Sequence, residues 1–274
     1  MIGAFIIAFR EVIEAGLIIS IVLAATRGIP GRMRWVLLGV VGGLAGAGLV
    51  ALFAEKISDA FEGSGQDILN AAVLIVAVLL LIWHNTWMSK HGKELAGELR
   101  AAGAAVRSGE REAAALSIVV GAAILREGAE LVLFLYGLVA SGTSGADIQF
   151  GAFAGIGAGI LLSAVTYLGL AAIPSRYVFS ITSVLIIFLA AGLAAQAAQF
   201  LANAGVVDVL GQTLWNSSGV IAENSWPGRV LHALVGYTDR PTALQGLVYL
   251  GTIAVMVGLM QWSSADKRRT VRTA

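Results

Sequence analysis

Seven long apolar segments constrain the fold of this 274-residue chain more than any other feature of its sequence. Each is long enough for a helix that crosses a bilayer, which needs about 20 mostly apolar residues. The segments are residues 2–25, 35–54, 68–88, 115–140, 147–172, 177–201 and 244–263. They are too long for buried strands, whereas helices satisfy their own backbone groups in lipid. The sequence therefore predicts one all-α membrane domain over residues 1–274, with about seven transmembrane helices.

The composition agrees with a protein that lies in lipid. Hydrophobic residues make up 58% of the chain and charged residues only 13%, whereas about a quarter of a soluble domain is charged. There is no Cys, which excludes disulfides, thiolate metal ligands and cysteine nucleophiles. Any metal site must therefore use Asp, Glu, His or carbonyl groups. The net charge of +1 does not favour binding to nucleic acid.

The basic residues outside the apolar segments predict an orientation. Thirteen Lys and Arg lie at the ends that include the C-terminal tail, and three, Lys56, Arg229 and Arg240, lie at the opposite ends. Because cytoplasmic loops carry an excess of Lys and Arg, the N-terminus is predicted outside and the C-terminus in the cytoplasm. Termini on opposite sides of the membrane agree with an odd number of transmembrane helices.

Two matching charged motifs lie near the centres of the first and fourth apolar segments. They are Arg10-Glu11-Val12-Ile13-Glu14 and Arg126-Glu127-Gly128-Ala129-Glu130. On a helix, residues three and four apart are neighbours, so the Arg and both Glu of each motif face one sector. That sector is predicted to face the interior of the helix bundle.

The depth of these six charges predicts a function for them. Each ionisable group near the bilayer centre costs about 2.5–3.5 kcal/mol, so six unpaired groups would cost on the order of 15–20 kcal/mol. Four Glu and two Arg leave a formal charge of −2, which a divalent or trivalent metal ion would balance. We therefore predict Glu11, Glu14, Glu127 and Glu130 as metal ligands, with Arg10 and Arg126 holding them in position. The alternative is a purely structural set of salt bridges, with one or two Glu protonated.

The motifs also predict a symmetry. The first and fourth helices are three apart in the chain, so they cross the membrane in opposite directions. Matching motifs at matching depth then indicate an inverted repeat of three plus three helices, with the seventh as an addition. Transporters often bind their substrate at the bilayer midplane between such repeats.

Polar residues outside the motifs give weaker candidates. Glu55, Asp59 and Glu62 are spaced for one helix face on the outer side, where they could attract cations to a pore mouth or form a solvated face. Gln196 and Gln199 could line the pathway or hydrogen-bond between helices.

His84 and Asn85 lie near the predicted inner end of the third helix. They could provide an exit ligand for the metal. Because Trp83 and Trp87 are nearby, the sequence favours instead an aromatic belt at the membrane interface.

The paired motifs resemble those of the FTR1-type iron permease family, which includes fungal high-affinity and bacterial Efe-type iron permeases. The segment Phe61-Glu62-Gly63-Ser64-Gly65-Gln66 and the stretch from Leu214 through Tyr237 to Pro241 resemble the bacterial branch. The family favours Arg-Glu-Gly-Leu-Glu, so the first motif here lacks the Gly, while all charged positions are kept.

The resemblance implies a seven-helix iron permease of the cell (inner) membrane rather than an enzyme. Iron is then the transported substrate, and no cofactor is expected. An oxidoreductase or a periplasmic iron-binding protein is the kind of partner that the resemblance implies.

The sequence leaves three alternatives to iron transport. The chain could carry another metal, such as lead, through the same oxygen ligands. A membrane di-iron carboxylate oxidoreductase is disfavoured because none of the three His follows a Glu by three residues. A carrier of organic anions is disfavoured by the net negative charge of the motifs.

Overall fold

The structure, a computed structural model, describes residues 1–60, 66–169 and 175–270. Within these ranges the chain forms eight α-helices and no β-strand, which confirms the predicted all-α class. The helices are α1 (Ile2–Ala25), α2 (Arg32–Ala60), α3 (Gln66–Arg107), α4 (Ala115–Ala140), α5 (Gly145–Tyr167), α6 (Ser175–Asn203), α7 (Trp226–Val235) and α8 (Ala243–Thr270).

Each predicted apolar segment overlaps one of these helices, but several boundaries differ. α3 continues from its apolar half through the polar connector to Arg107, for a total of 42 residues. α5 ends at Tyr167, five residues before the predicted end at residue 172, because Gly169 adopts a positive φ of 72°. The short helix α7 was not predicted; Ser225 caps its start and Gly236, at φ 65°, ends it.

Among the described residues, five helical segments are long and apolar enough to cross a membrane by length and composition. They are Arg32–Ala54, Gln66–Met88, Gly145–Tyr167, Phe179–Asn203 and Ala243–Trp262. α1 and α4 have similar lengths, 24 and 26 residues, but each contains three charged residues near its middle. The charges that set these two helices apart are those of the two motifs.

Glycines bring two pairs of helices into close contact. A Cβ atom at Gly155 of α5 would lie 2.5 Å from the carbonyl oxygen of Phe5 in α1. A Cβ atom at Gly43 of α2 would lie 2.7 Å from the carbonyl oxygen of Gly121 in α4. Both approaches are too short for any residue with a side chain, as expected for small-residue stripes at membrane helix contacts. α5 therefore lies against α1, and α2 lies against α4.

Two apolar clusters fill the bundle at different depths. One contains Ile7 of α1 and Phe134 of α4, together with buried residues of α3, α6 and α8. The other contains Ile18 of α1 and Val120 of α4, together with buried residues of α2 and α3. Along α1 and α4 the two charged motifs lie between these clusters, so they form a polar layer inside an apolar bundle.

Candidate metal centre

The first motif is fully enclosed. Arg10, Glu11 and Glu14 are each 2% exposed, since α5 covers one side of α1 and the core covers the other. Arg10 Nε donates a hydrogen bond of 2.9 Å to Glu14 Oε1, which is the contact expected for residues four apart on a helix. This bond fixes one oxygen of Glu14.

The second motif has the same residues but different pairing. Arg126 Nε donates a hydrogen bond of 3.0 Å to Glu127 Oε1, whereas it lies 3.9 Å from Glu130 Oε1. The guanidinium also stacks over the ring of Trp87, 5.1 Å from its centroid. Arg126 is 33% exposed and Glu130 is 12% exposed, so this side of the layer is more open than the first motif.

His84 lies between the two motifs and is only 3% exposed. Its Nδ1 contacts Glu130 Oε2, and its Nε2 lies 3.5 Å from Glu14 Oε2. The prediction that His84 belongs to an aromatic belt at the membrane interface was therefore wrong. The side chain of His84 is buried against both motifs, whereas Trp83, the preceding residue of α3, is 59% exposed.

Four side chains from three helices form the group best suited to hold a metal ion. Glu11, His84, Glu127 and Glu130 each offer one ligand atom, and these atoms all lie within 4.8 Å of one another. Neither oxygen of Glu11 receives a hydrogen bond within the described part of the chain, and Glu127 Oε2 also lacks a donor. Buried polar atoms are almost always paired, so this concentration of unpaired oxygens requires a partner other than the described residues, such as water or a cation. Carboxylate oxygen and imidazole nitrogen are both ligands of iron and related metals.

The weaker candidates lie elsewhere. Gln196 Nε2 donates a hydrogen bond of 2.6 Å to the carbonyl oxygen of Ser141, and Gln199 Nε2 donates one of 2.9 Å to Asn203 Oδ1. Neither of these bonds reaches the charged layer.

The three predicted pore-mouth residues are not described by the structure. Glu55 and Asp59 belong to the last turns of α2, but their side chains lie outside the described part, as does the whole of Glu62.

Two cavities flank the charged layer. One, of about 500 Å³, lies at the N-terminal end of α1 and is lined by Ala4, Asp147, Gln196, Glu223 and His232 among others. The other, of about 590 Å³, lies along the C-terminal half of α1 and includes Ile13, Arg27, Arg100 and Arg107 in its lining. The group of four side chains thus lies between two cavities that flank α1 towards its two ends.

Comparison with known proteins places the sequence in a family. A sequence model described as the Iron permease FTR1 family matches residues 1–264. The protein named Ferrous iron permease EfeU from Yersinia pestis is 30% identical over 249 residues, which cover 89% of this chain and 88% of that protein. The protein of the same name from Escherichia coli O157:H7 is 28% identical over 249 residues, which cover 89% and 90% of the two chains. No solved structure matches the chain significantly. Because the family match extends over nearly the whole sequence, this chain belongs to the Iron permease FTR1 family.

Proposed function

We propose that this multi-pass membrane protein carries iron ions across the cell (inner) membrane through a site formed by its two Arg-Glu-x-x-Glu motifs. The observation that carries this proposal is the burial of the Glu11 carboxyl group, neither of whose oxygens receives a hydrogen bond from the described residues. Removing a carboxylate from water costs several kcal/mol unless a partner compensates for it. A cation between Glu11, Glu127 and Glu130 supplies that partner.

The charge of the layer supports a multivalent cation. The four motif carboxylates and two motif guanidiniums carry a formal charge of −2 together, and Arg10 and Arg126 each bind one Glu. The uncompensated charge matches a divalent ion that has lost part of its hydration shell. The relatives are named ferrous iron permeases, and iron is therefore the cation that we assign to the site.

The glycine contacts support an inverted repeat. If α1–α3 and α4–α6 are equivalent halves, exchange of the halves converts α1 into α4 and α5 into α2. The close pair formed by α1 and α5 then becomes the pair formed by α4 and α2, and both pairs are held together through glycines. We propose that α1–α6 and α8 cross the membrane, with the N-terminus outside and the site near the midplane.

The two cavities support a route through the site. Ala4 lines the cavity at the N-terminal end of α1, and Glu11 is seven positions further along the helix, about 10 Å at 1.5 Å per residue. Fully buried Ile7 and Phe134 occupy part of this interval. The other cavity reaches Ile13, next to Glu14. We infer that the described conformation is closed toward the N-terminal cavity and that iron enters when this apolar layer separates.

Transport into proteoliposomes tests the proposal. Purified protein is reconstituted, and uptake of radioactive Fe²⁺ is measured under anaerobic conditions, with Mn²⁺, Zn²⁺ and Pb²⁺ as competitors. Glu11→Gln and Glu127→Gln should reduce uptake to the background of empty vesicles, because each removes one ligand charge from the buried site. Glu98→Gln, at an exposed position of α3, is the matched control and should transport normally. Wild-type uptake by both site variants would refute the proposal, and stronger competition by Pb²⁺ than by Fe²⁺ would reassign the substrate.

A further inference from the structure

The two motifs supply different numbers of metal ligands, although their sequences match. Glu14 and Glu130 hold the same position in their motifs, yet only Glu130 belongs to the four-residue group. Arg10 binds one oxygen of Glu14 at 2.9 Å. The fourth ligand atom of the group instead comes from His84, on a helix that carries no such motif.

We propose that His84 is a metal ligand which completes a site of three oxygens and one nitrogen with Glu11, Glu127 and Glu130. The imidazole then makes the site selective for borderline divalent cations such as Fe²⁺ over harder ones such as Mn²⁺ and Mg²⁺. In this arrangement Glu14 positions His84 and Arg10 without binding the metal. The inference rests on the proposed function, since it concerns the ligands of the same transport site.

The geometry of the group suits a single ion. Oxygen and imidazole nitrogen ligands lie about 2.0–2.2 Å from a first-row metal ion, so two ligand atoms of one ion are at most about 4.4 Å apart. The four ligand atoms lie within 4.8 Å of one another. A contraction of about 0.4 Å, within the reach of small side-chain rotations, therefore brings all four to bonding distance.

The position of the ring is well defined. His84 packs edge-on against Phe134, with ring centroids 6.4 Å apart and an interplanar angle of 81°. Glu130 contacts one ring nitrogen and Glu14 faces the other at 3.5 Å. The ring nitrogen that faces Glu14, Nε2, lacks a hydrogen-bond partner among the described residues, and so do both oxygens of Glu11. Buried ligand atoms without a hydrogen-bond partner among the described residues are thus present on both α1 and α3.

The chemistry of imidazole gives the selectivity. Sites made only of carboxylate, carbonyl and water suit Mg²⁺, Ca²⁺ and Mn²⁺, whereas imidazole suits Fe, Zn, Ni and Cu ions. The affinity of a given mixed site also rises from Mn²⁺ to Fe²⁺ along the series of divalent metals. One nitrogen among three oxygens therefore favours Fe²⁺ over Mn²⁺ and Mg²⁺, the harder ions of the same charge.

X-ray absorption at the iron K-edge tests the ligand directly. Wild-type protein in detergent is loaded anaerobically with Fe²⁺, and the fine structure should show the multiple scattering of about one imidazole. His84→Gln should abolish that signature, whereas His91→Gln, a matched change on the same helix, should keep it. A wild-type spectrum that contains oxygen ligands alone would overturn the proposal, even if the His84 variant does not fold.

Selectivity is measured in proteoliposomes with Fe²⁺ and Mn²⁺ carrying different radioactive labels. Loss of a ligand or of its support typically reduces metal affinity by about 10- to 100-fold, so the Fe²⁺ to Mn²⁺ uptake ratio of His84→Gln should fall by about tenfold or more. An unchanged ratio in a variant that still transports would overturn the selectivity.

The outcomes also separate this inference from the proposed function. If Glu127→Gln abolishes uptake while His84→Gln changes neither spectrum nor ratio, the carboxylate site stands and the role of His84 is refuted. If iron does not bind the wild-type protein at all, both are refuted.

Discussion

Two carboxylates of α1 should respond in opposite directions to the same substitution. Glu11 and Glu14 are equally buried, each 2% exposed, and are three residues apart on one helix. Glu14 accepts the hydrogen bond from Arg10 Nε at 2.9 Å, whereas Glu11 receives none from the described residues. In the metal-free protein Arg10 therefore stabilises the carboxylate of Glu14, whereas the carboxyl group of Glu11 is buried without a hydrogen-bond donor from the described residues.

The magnitudes follow from these contacts. Glu11→Gln replaces an unpaired buried carboxylate with a neutral amide that can donate to Glu127 or Glu130, and should raise the free energy of unfolding by about 1–3 kcal/mol. Glu14→Gln leaves Arg10 buried without its carboxylate, and should lower the free energy of unfolding by about 3–5 kcal/mol. The two variants should therefore differ by about 4 kcal/mol or more in the absence of metal.

Thermal unfolding of purified protein in detergent, with a metal chelator present, measures this difference. One kcal/mol shifts Tm by about 2–4 °C in chains of 150–250 residues, so the variants should be separated by at least about 8 °C. Adding Fe²⁺ at a hundred times its Kd should stabilise the wild type by about 2.7 kcal/mol and leave Glu11→Gln nearly unchanged. Glu98→Gln controls for the substitution itself. A decrease in Tm for both site variants, or a full iron shift in Glu11→Gln, would refute the reasoning.

Three further predictions concern the surroundings of the site. Gly155→Leu should prevent folding, since its Cβ would lie 2.5 Å from a backbone oxygen of α1. Gly157→Leu, whose Cβ would have no neighbouring atom within 4 Å, should be tolerated. Fluorescence-detected size exclusion compares the folded yields of the two variants. Trp87→Leu removes the cation–π contact with Arg126, worth about 0.5–2 kcal/mol, and should weaken equilibrium binding of Fe²⁺ by about twofold to thirtyfold; unchanged binding would contradict this. Tyr237→Phe removes the hydroxyl group that bonds Ser217 Oγ at 2.6 Å and the carbonyl oxygen of Ile221 at 2.8 Å, in the segment before α8. The free energy of unfolding should fall by about 1–3 kcal/mol. Thermal denaturation measures this, and an unchanged Tm would contradict it.

The helices could be predicted from the sequence because long apolar runs in lipid have few alternatives to a helix. The ends of the helices were less predictable, because hydropathy falls where a helix leaves the membrane rather than where it ends. α3 continues for 19 residues beyond the predicted end at residue 88, since the connector is rich in Ala, Glu, Lys and Arg, which are strong helix formers. α7 has only 10 residues, too few for the long apolar runs that predict the other helices, although Ser225, Pro227 and Gly236 mark its two ends.

The charged motifs could be recognised because buried charge is rare, but their partners could not. The spacing within one helix predicts the contact between Arg10 and Glu14, which the structure has. It predicts the same contact between Arg126 and Glu130, where the structure has a closer bond to Glu127 instead. Trp87 of α3 contacts the Arg126 guanidinium. The spacing of residues within α4 cannot predict such a contact with another helix.

His84 shows why two matching motifs do not produce two matching half-sites. An exact exchange of halves would relate α3 to α6 and would require a ligand on α6 opposite His84. The polar residues predicted on α6 do not supply one, since Gln196 binds the backbone of Ser141 and Gln199 binds Asn203 within its own helix. Glu14 and Glu130 therefore meet one imidazole between them, and only Glu130 joins the group of ligand atoms. In the proposed repeat the two motifs are equivalent, whereas His84 of α3 has no equivalent ligand in Gln196 or Gln199 of α6. The proposed ligand set is therefore asymmetric, with Glu11 from the first motif and both Glu127 and Glu130 from the second.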